Sequence, residues 1–120
     1  MIKIVPKSKG NILIVKAEGK LTDKDYKNVF IPKMKEIIKK YGNIRLLLDM
    51  GDEFSGWEGS ALWDDLHFGI ENKDSFQKMG VIANPKWVNI GMKLIPFVIK
   101  GEIKNFTTQE REKAMKWIKE

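Results

Sequence analysis

The sequence predicts an α/β fold built on a mostly parallel sheet with one antiparallel edge strand. Three observations predict it. Short runs rich in isoleucine, valine and leucine alternate with longer segments of helical period. The first two runs stand side by side across a turn-rich stretch, as in a hairpin. The later runs are almost continuously apolar, which is how strands covered on both faces read. Strands joined through helices require right-handed crossovers, and those make neighbouring strands parallel. The order read from the chain is β-β-α-β-α-β-α-β-α, a single domain over residues 1–120 with no repeat, linker or low-complexity segment.

Ile2 and Ile4 form the first strand and Ile12 to Val15 the second, separated by Pro6-Lys7-Ser8-Lys9-Gly10-Asn11. After Gly19, Thr22-Asp23-Lys24-Asp25 supplies a helix cap with acidic first-turn residues. Tyr26, Phe30, Met34, Ile37 and Tyr41 then recur at helical spacing, so a helix of about four or five turns is expected. Pro32 lies inside it and predicts a kink, because it removes one donor and crowds the carbonyl of Asn28. Gly42-Asn43 ends the helix.

Ile44 to Met50 reads as the central strand. Ser55-Gly56-Trp57-Glu58 fits a capping box that starts a second helix, with Leu62, Leu66 and Ile70 as its stripe and an end near Glu71-Asn72. Met79 to Ala83 is a further buried strand. Asn84-Pro85 opens a third helix running to about Phe97. Glu102 to Phe106 alternates like an edge strand, and Thr107-x-x-Glu110 caps a last helix carrying Ala114, Met115, Trp117 and Ile118.

Composition narrows the chemistry. Of 120 residues 42% are hydrophobic, too many for a disordered chain, yet no apolar run approaches the roughly 18 residues of a membrane span. There is no cysteine and one histidine, His67, which removes disulfides, thiol catalysis and histidine-rich metal sites. The short opening Met-Ile-Lys-Ile-Val-Pro reads as neither a signal peptide nor a lipidation motif, and a cytoplasmic protein is expected.

The formal net charge of +6 is unevenly spread. Residues 1–45 hold 12 basic and 4 acidic side chains, 46–80 hold 2 and 8, and 81–120 hold 8 and 4. All the basic residues but Arg45 and Arg111 are lysines, whereas readers of nucleic acid add arginines or exposed aromatics. The excess therefore reads as a solvated lysine surface, with an anionic membrane surface or an acidic protein as the other uses; no nucleic-acid partner is expected.

Gly19-Lys20-Leu21-Thr22-Asp23-x-Asp25-Tyr26, the strand Leu46-Leu47-Leu48-Asp49, the Trp57 region and Phe106-x-x-x-Glu110-x-x-x-Ala114-x-x-Trp117-Ile118 occur in this order along the chain. Together they resemble the SpoIIAA-like branch of the STAS superfamily, the bacterial anti-sigma-factor-antagonist fold. The resemblance implies a four- or five-stranded sheet with helices largely on one face, and a role in binding rather than catalysis. The branch is also similar in architecture to CRAL-TRIO lipid carriers, which implies a small hydrophobic ligand as an alternative. In sigma-regulating members an Asp-Ser-Ser-Gly-like helix start carries a phosphorylated serine. Here the segment is Ser55-Gly56-Trp57-Glu58-Gly59-Ser60; the candidate phosphosites Ser55 and Ser60 sit among Asp52, Glu53 and Glu58, which repel added phosphate, whereas a helix N-terminus would favour it, and Ser55 reads first as an ordinary N-cap.

Sites in parallel sheets sit at the carboxyl ends of the strands. Asp49, Asp52 and Glu53 with Asp64 and Asp65 match no calcium loop, and no second polar group supports an acid/base pair, so neither metal, cofactor nor catalytic residue is expected. The glycines form no phosphate loop. The informative feature is an apolar surplus. Trp87, Val88, Ile90, Met92, Leu94 and Phe97 exceed one helical stripe, and Trp57, Trp63 and Phe68 exceed the stripe of the second helix. Three uses of the surplus stay open: plain burial, a homodimer seam, and a groove for a lipid or other hydrophobic small molecule. The expected function is a non-enzymatic binding or regulatory module for a protein partner or self-association, with Trp57, Trp63, Trp87, Met92 and Phe97 as anchors. Lys86, Lys93 and Lys100 recur every seven residues and suit a solvated stripe and peripheral contact with a membrane equally well.

Overall fold

The structure, a computed structural model, describes residues 1–59, 68, 71–84 and 101–120. Seven strands are described: β1 (Ile2–Ile4), β2 (Ile12–Ala17), β3 (Gly19–Leu21), β4 (Ile44–Met50), β5 (Phe54–Trp57), β6 (Phe76–Ala83) and β7 (Glu102–Phe106). Five of them form one sheet in the order β1-β2-β4-β6-β7. β1 pairs antiparallel with β2, Ile2 opposite Ala17, and all the other pairs in this sheet are parallel. β4 is therefore central, as its apolar run predicts, and β7 is an edge strand as its alternation predicts.

The alternation along the strands separates two cores. Leu13 and Val15, Leu46 and Leu48, and Met79 and Val81 face one side, where they meet Tyr26, Phe30, Met34 and Ile37. Phe68 joins this core and stands edge-on to Phe76 with ring centroids 6.2 Å apart. Ile14, Leu47 and Ile82 face the other side and meet Phe106, Ala114, Trp117 and Ile118.

The first helical run has three parts: α1 (Asp23–Asp25), a π-helical stretch (Tyr26–Phe30) and α2 (Ile31–Tyr41). Its start is a reciprocal capping box between Thr22 and Asp25. The irregularity expected at Pro32 takes the form of wide π-type turns just ahead of it. The amide of Ile31 donates to the carbonyl of Tyr26, five residues back, so the helix continues around the missing proline donor. Gly42 closes α2 at φ 80°, a left-handed conformation that favours glycine. Of the predicted stripe Tyr26, Phe30, Met34 and Ile37 are buried, but Tyr41, the last residue of α2, is 44% exposed. The terminal helix α3 (Arg111–Lys119) follows a 3-10 turn (Thr108–Glu110) capped by Thr107 and Glu110, as the sequence predicts.

Two expectations need correction, and a short strand at Gly19–Leu21 is added to the order read from the sequence. Ser55-Gly56-Trp57 belongs to β5, not to a helix start, and pairs in parallel with β3 as a second, two-stranded sheet. Gly56 is buried there at φ 118°, a conformation that residues with a side chain rarely adopt, so its glycine serves the strand rather than the first turn of a helix. The strand expected from Met79 begins at Phe76. The helix expected from Pro85 to about Phe97 lies outside the described residues.

Candidate functional site

At the carboxyl ends of the strands, β4 delivers Asp49 and then turns through Gly51, Asp52 and Glu53 into β5. The capping box at Thr107 starts the terminal helix beside that turn, and this brings Arg111 back over the sheet. Its Nε donates to Asp49 Oδ2 at 3.0 Å, Nη2 to Oδ1 at 3.4 Å, and Nη1 to the carbonyl of Thr108 at 3.1 Å. The bonds to Asp49 raise the guanidinium pKa against an opposing desolvation. Gly51 leaves room for the guanidinium: a Cβ there would lie 2.6 Å from Arg111 Nη2. At the cap, the backbone N–H of Thr107 is the main cause holding the Glu110 carboxyl below the usual range.

The opposite end of α3 is held by cations from the sheet. Lys78 of β6 donates to the carbonyl of Trp117 at 3.0 Å and its ammonium lies 4.8 Å from the centre of a Trp117 ring. Arg45 of β4 donates to the carbonyl of Ile118 at 3.1 Å and to Gln77 Oε1 at 2.6 Å. The Trp117 carbonyl also accepts the Glu120 amide at 3.2 Å, and last-turn carbonyls carry the negative end of the helix dipole, which these two cations complement. Both arginines of the chain are thus spent on positioning the terminal helix, which reading the charge alone missed. Their scarcity among the lysines was the available signal, since a planar fork suits fixed multipoint contacts.

Of the predicted anchors, Trp57 is described. It is half-buried in β5, packs against the first core, and meets Phe54 edge-on with centroids 4.9 Å apart. Its indole N–H donates to the Tyr26 hydroxyl at 3.2 Å, so β5 is fastened to the first helical run. The candidate phosphosite Ser55 is exposed on the same strand. Trp63, Trp87, Met92, Phe97 and Ser60 lie outside the described residues, as do His67, Asp64, Asp65 and the lysines at 86, 93 and 100. Among the described residues, no three or more His, Asp or Glu side chains gather as a metal-ligand set, and no helix is long and apolar enough to cross a membrane.

Comparison with known families finds that residues 12–119 match the SpoIIAA-like family. Among solved structures the chain is similar to an uncharacterized protein of the DUF3478 family with a SpoIIAA-like fold from Shewanella loihica PV-4. The two are 26% identical, with a TM-score of 0.77, over 98% of this chain and 93% of that one. A search of curated proteins gave no match.

Proposed function

The chain belongs to the SpoIIAA-like family, and from that membership we propose that it is a single-domain, non-enzymatic binding or regulatory module acting in the cytoplasm. Its partner is another protein or a second copy of the chain. The contact surface is the apolar one carried by residues 57–70 and 85–99, with Trp57, Trp63, Trp87, Met92 and Phe97 as anchors.

The observation that carries this reading is the setting of Trp57. The ring is packed against Phe54, its one donor is already satisfied by Tyr26, and part of it stays accessible. A rigid aromatic with no unmet polar group costs little entropy or desolvation when covered, which is the profile of an interface anchor. The phosphoswitch of sigma-regulating relatives forms no part of the proposal. Ser55 stands in a strand, so it lacks the helix N-terminus that would offset its acidic neighbours.

Native mass spectrometry on protein purified without detergent tests the reading, with Trp57→Ala alongside. A dimer without added mass that dissociates in the variant is the self-association outcome; an apo monomer directs the search to a different protein. A monomer that sheds a lipid-sized mass on activation overturns the proposal in favour of a carrier for a hydrophobic ligand.

A further inference from the structure

The two edges of the five-stranded sheet treat their charges differently. On β1 the Lys3 ammonium lies 3.2 Å from the carboxylate of Glu18, just past β2, so its charge is answered within the chain. At the other edge β7 has β6 as its one strand neighbour among the described residues. Side chains alternate along β7: Ile103 packs against the first core and Phe106 joins the second, which puts Glu102 and Lys104 on the same face as Phe106. Both charged residues are exposed, and neither makes an ion pair among the described residues. The Lys104 ammonium lies 5.4 Å from the centre of the Phe106 ring, which holds the side chain over the strand. On that face the polar anchors of α3, Arg45, Asp49 and Lys78, belong to β4 and β6, inward of this edge.

We infer that β7 is the seam of a homodimer, pairing antiparallel with β7 of a second copy about a two-fold axis at Ile103, so that the two sheets join into one. The segment Glu102-Ile103-Lys104 is its own antiparallel complement. In this register Ile103 faces Ile103, Gly101 faces Asn105, and Glu102 of each copy stands opposite Lys104 of the other, which makes two attractive cross-strand pairs and no repulsive one. Moving the axis to Lys104 sets lysine against lysine, and moving it to Glu102 sets glutamate against glutamate, so charge selects a single register. A different protein would have to bring the same two charges in the same order and spacing, whereas a second copy brings them by symmetry. The inference rests on the protein-binding reading above in its self-association form, but places the seam on the sheet edge rather than on the aromatic surface. A strand pair of this length is a small contact, so the dimer is weak and forms reversibly with concentration.

The test is sedimentation velocity on the full chain from about 10 µM to about 1 mM, with far-UV circular dichroism to confirm that each variant keeps its fold. The dimer dissociation constant is expected to rise about tenfold or more in K104E and in E102K, where like charges meet across the seam. It should return to near the parent value in E102K/K104E, where the two charges are exchanged. The two single variants are complementary to each other, so their equimolar mixture is expected to dimerise as the parent does. Trp57→Ala should leave the constant unchanged. A parent that stays monomeric throughout overturns the inference and makes Lys104 a guard against edge pairing. A dimer that both single variants leave intact, or a loss that the exchange does not repair, overturns it as well. A dimer lost in Trp57→Ala but kept in K104E overturns the β7 seam and leaves the aromatic surface standing.

Discussion

Arg111 grips Asp49 at two points across 62 residues of sequence, joining the first turn of the terminal helix to the end of the central strand. The Arg111 side chain is 44% exposed, so solvent screens the pair and its worth belongs to the modest class of surface ion pairs. Replacing Arg111 by alanine is expected to cost about 0.5–1 kcal/mol in chemical denaturation. Lysine is expected to restore little, because an ammonium cannot span both carboxylate oxygens and the Thr108 carbonyl. Gly51→Ala pushes the guanidinium aside and should cost stability in the parent but almost nothing in Arg111→Ala. Additive losses in that cycle would show that the glycine acts independently of the pair.

A second glycine is expected to be more sensitive. A Cβ at Gly80 would lie 2.8 Å from Leu47 Cδ1 and 3.1 Å from Trp117 Cζ3, both inside the second core. Gly80→Ala should therefore lift α3 from the sheet, at a cost of about 1–3 kcal/mol. Trp117 fluorescence is not separable from that of the other three tryptophans without single-tryptophan variants, so amide exchange across residues 111–119 is the direct measurement. Unchanged protection there would refute the close packing.

The cations at the far end of the same helix predict a different signature. Lys78→Met keeps the aliphatic stem and removes the charge on the Trp117 carbonyl, and Arg45→Met does the same at Ile118. Each is expected to cost about 1 kcal/mol, in line with a charge-assisted hydrogen bond at a helix C-terminus. The loss should appear first as faster amide exchange in the last turn of α3, with α2 unaffected.

Acid should loosen the helix starts. Burial tends to raise the Asp25 carboxyl, but the backbone N–H and hydroxyl of Thr22 outweigh it and hold the pKa below the usual range. Hydrogen bonding from Lys3 lowers Glu18, and the Thr107 backbone lowers Glu110. A folded-state pKa below the unfolded one gives stability that is complete above the unfolded value, near pH 4, and is lost as pH falls through the folded value. Thermal midpoints are expected to be flat from about pH 6 to 5 and to drop below about 4. Asp25→Ala should start lower and fall less, and a parallel drop in both proteins would remove Asp25 from the account.

How far these features were legible in the sequence depends on their range. Thr22-x-x-Asp25, Gly42 and Thr107-x-x-Glu110 were readable because caps are local, each residue answering to backbone three positions away. Leu46-Leu47-Leu48 announced a strand covered on two faces, and the two separate cores confirm why every one of the three is apolar. Ser55-x-x-Glu58 misled for the same local reason: it has the composition of a cap, and only pairing with Gly19–Leu21, a tertiary event, makes it a strand. The Arg111–Asp49 and Lys78–Trp117 contacts are long-range and leave no spacing signal. Of the candidate anchors Trp57 alone can be compared with its reading; it is an aromatic of mixed duty, part core and part surface.

The terminal helix takes its anchors from three strands that leave the ribosome at different times: Arg45 and Asp49 from β4, Lys78 and Gly80 from β6, and Phe106 from β7. β2, β4, β6 and β7 neighbour one another in the order of synthesis, so the sheet can grow by addition at one edge as the chain emerges. Among the described residues, its second face, with Ile14, Leu47 and Ile82, is covered by Phe106 and by Ala114, Trp117 and Ile118 of α3. Without residues 111–119, the described part of the sheet would present this apolar face to chaperones and to other nascent chains, so the helix is what shields it from them.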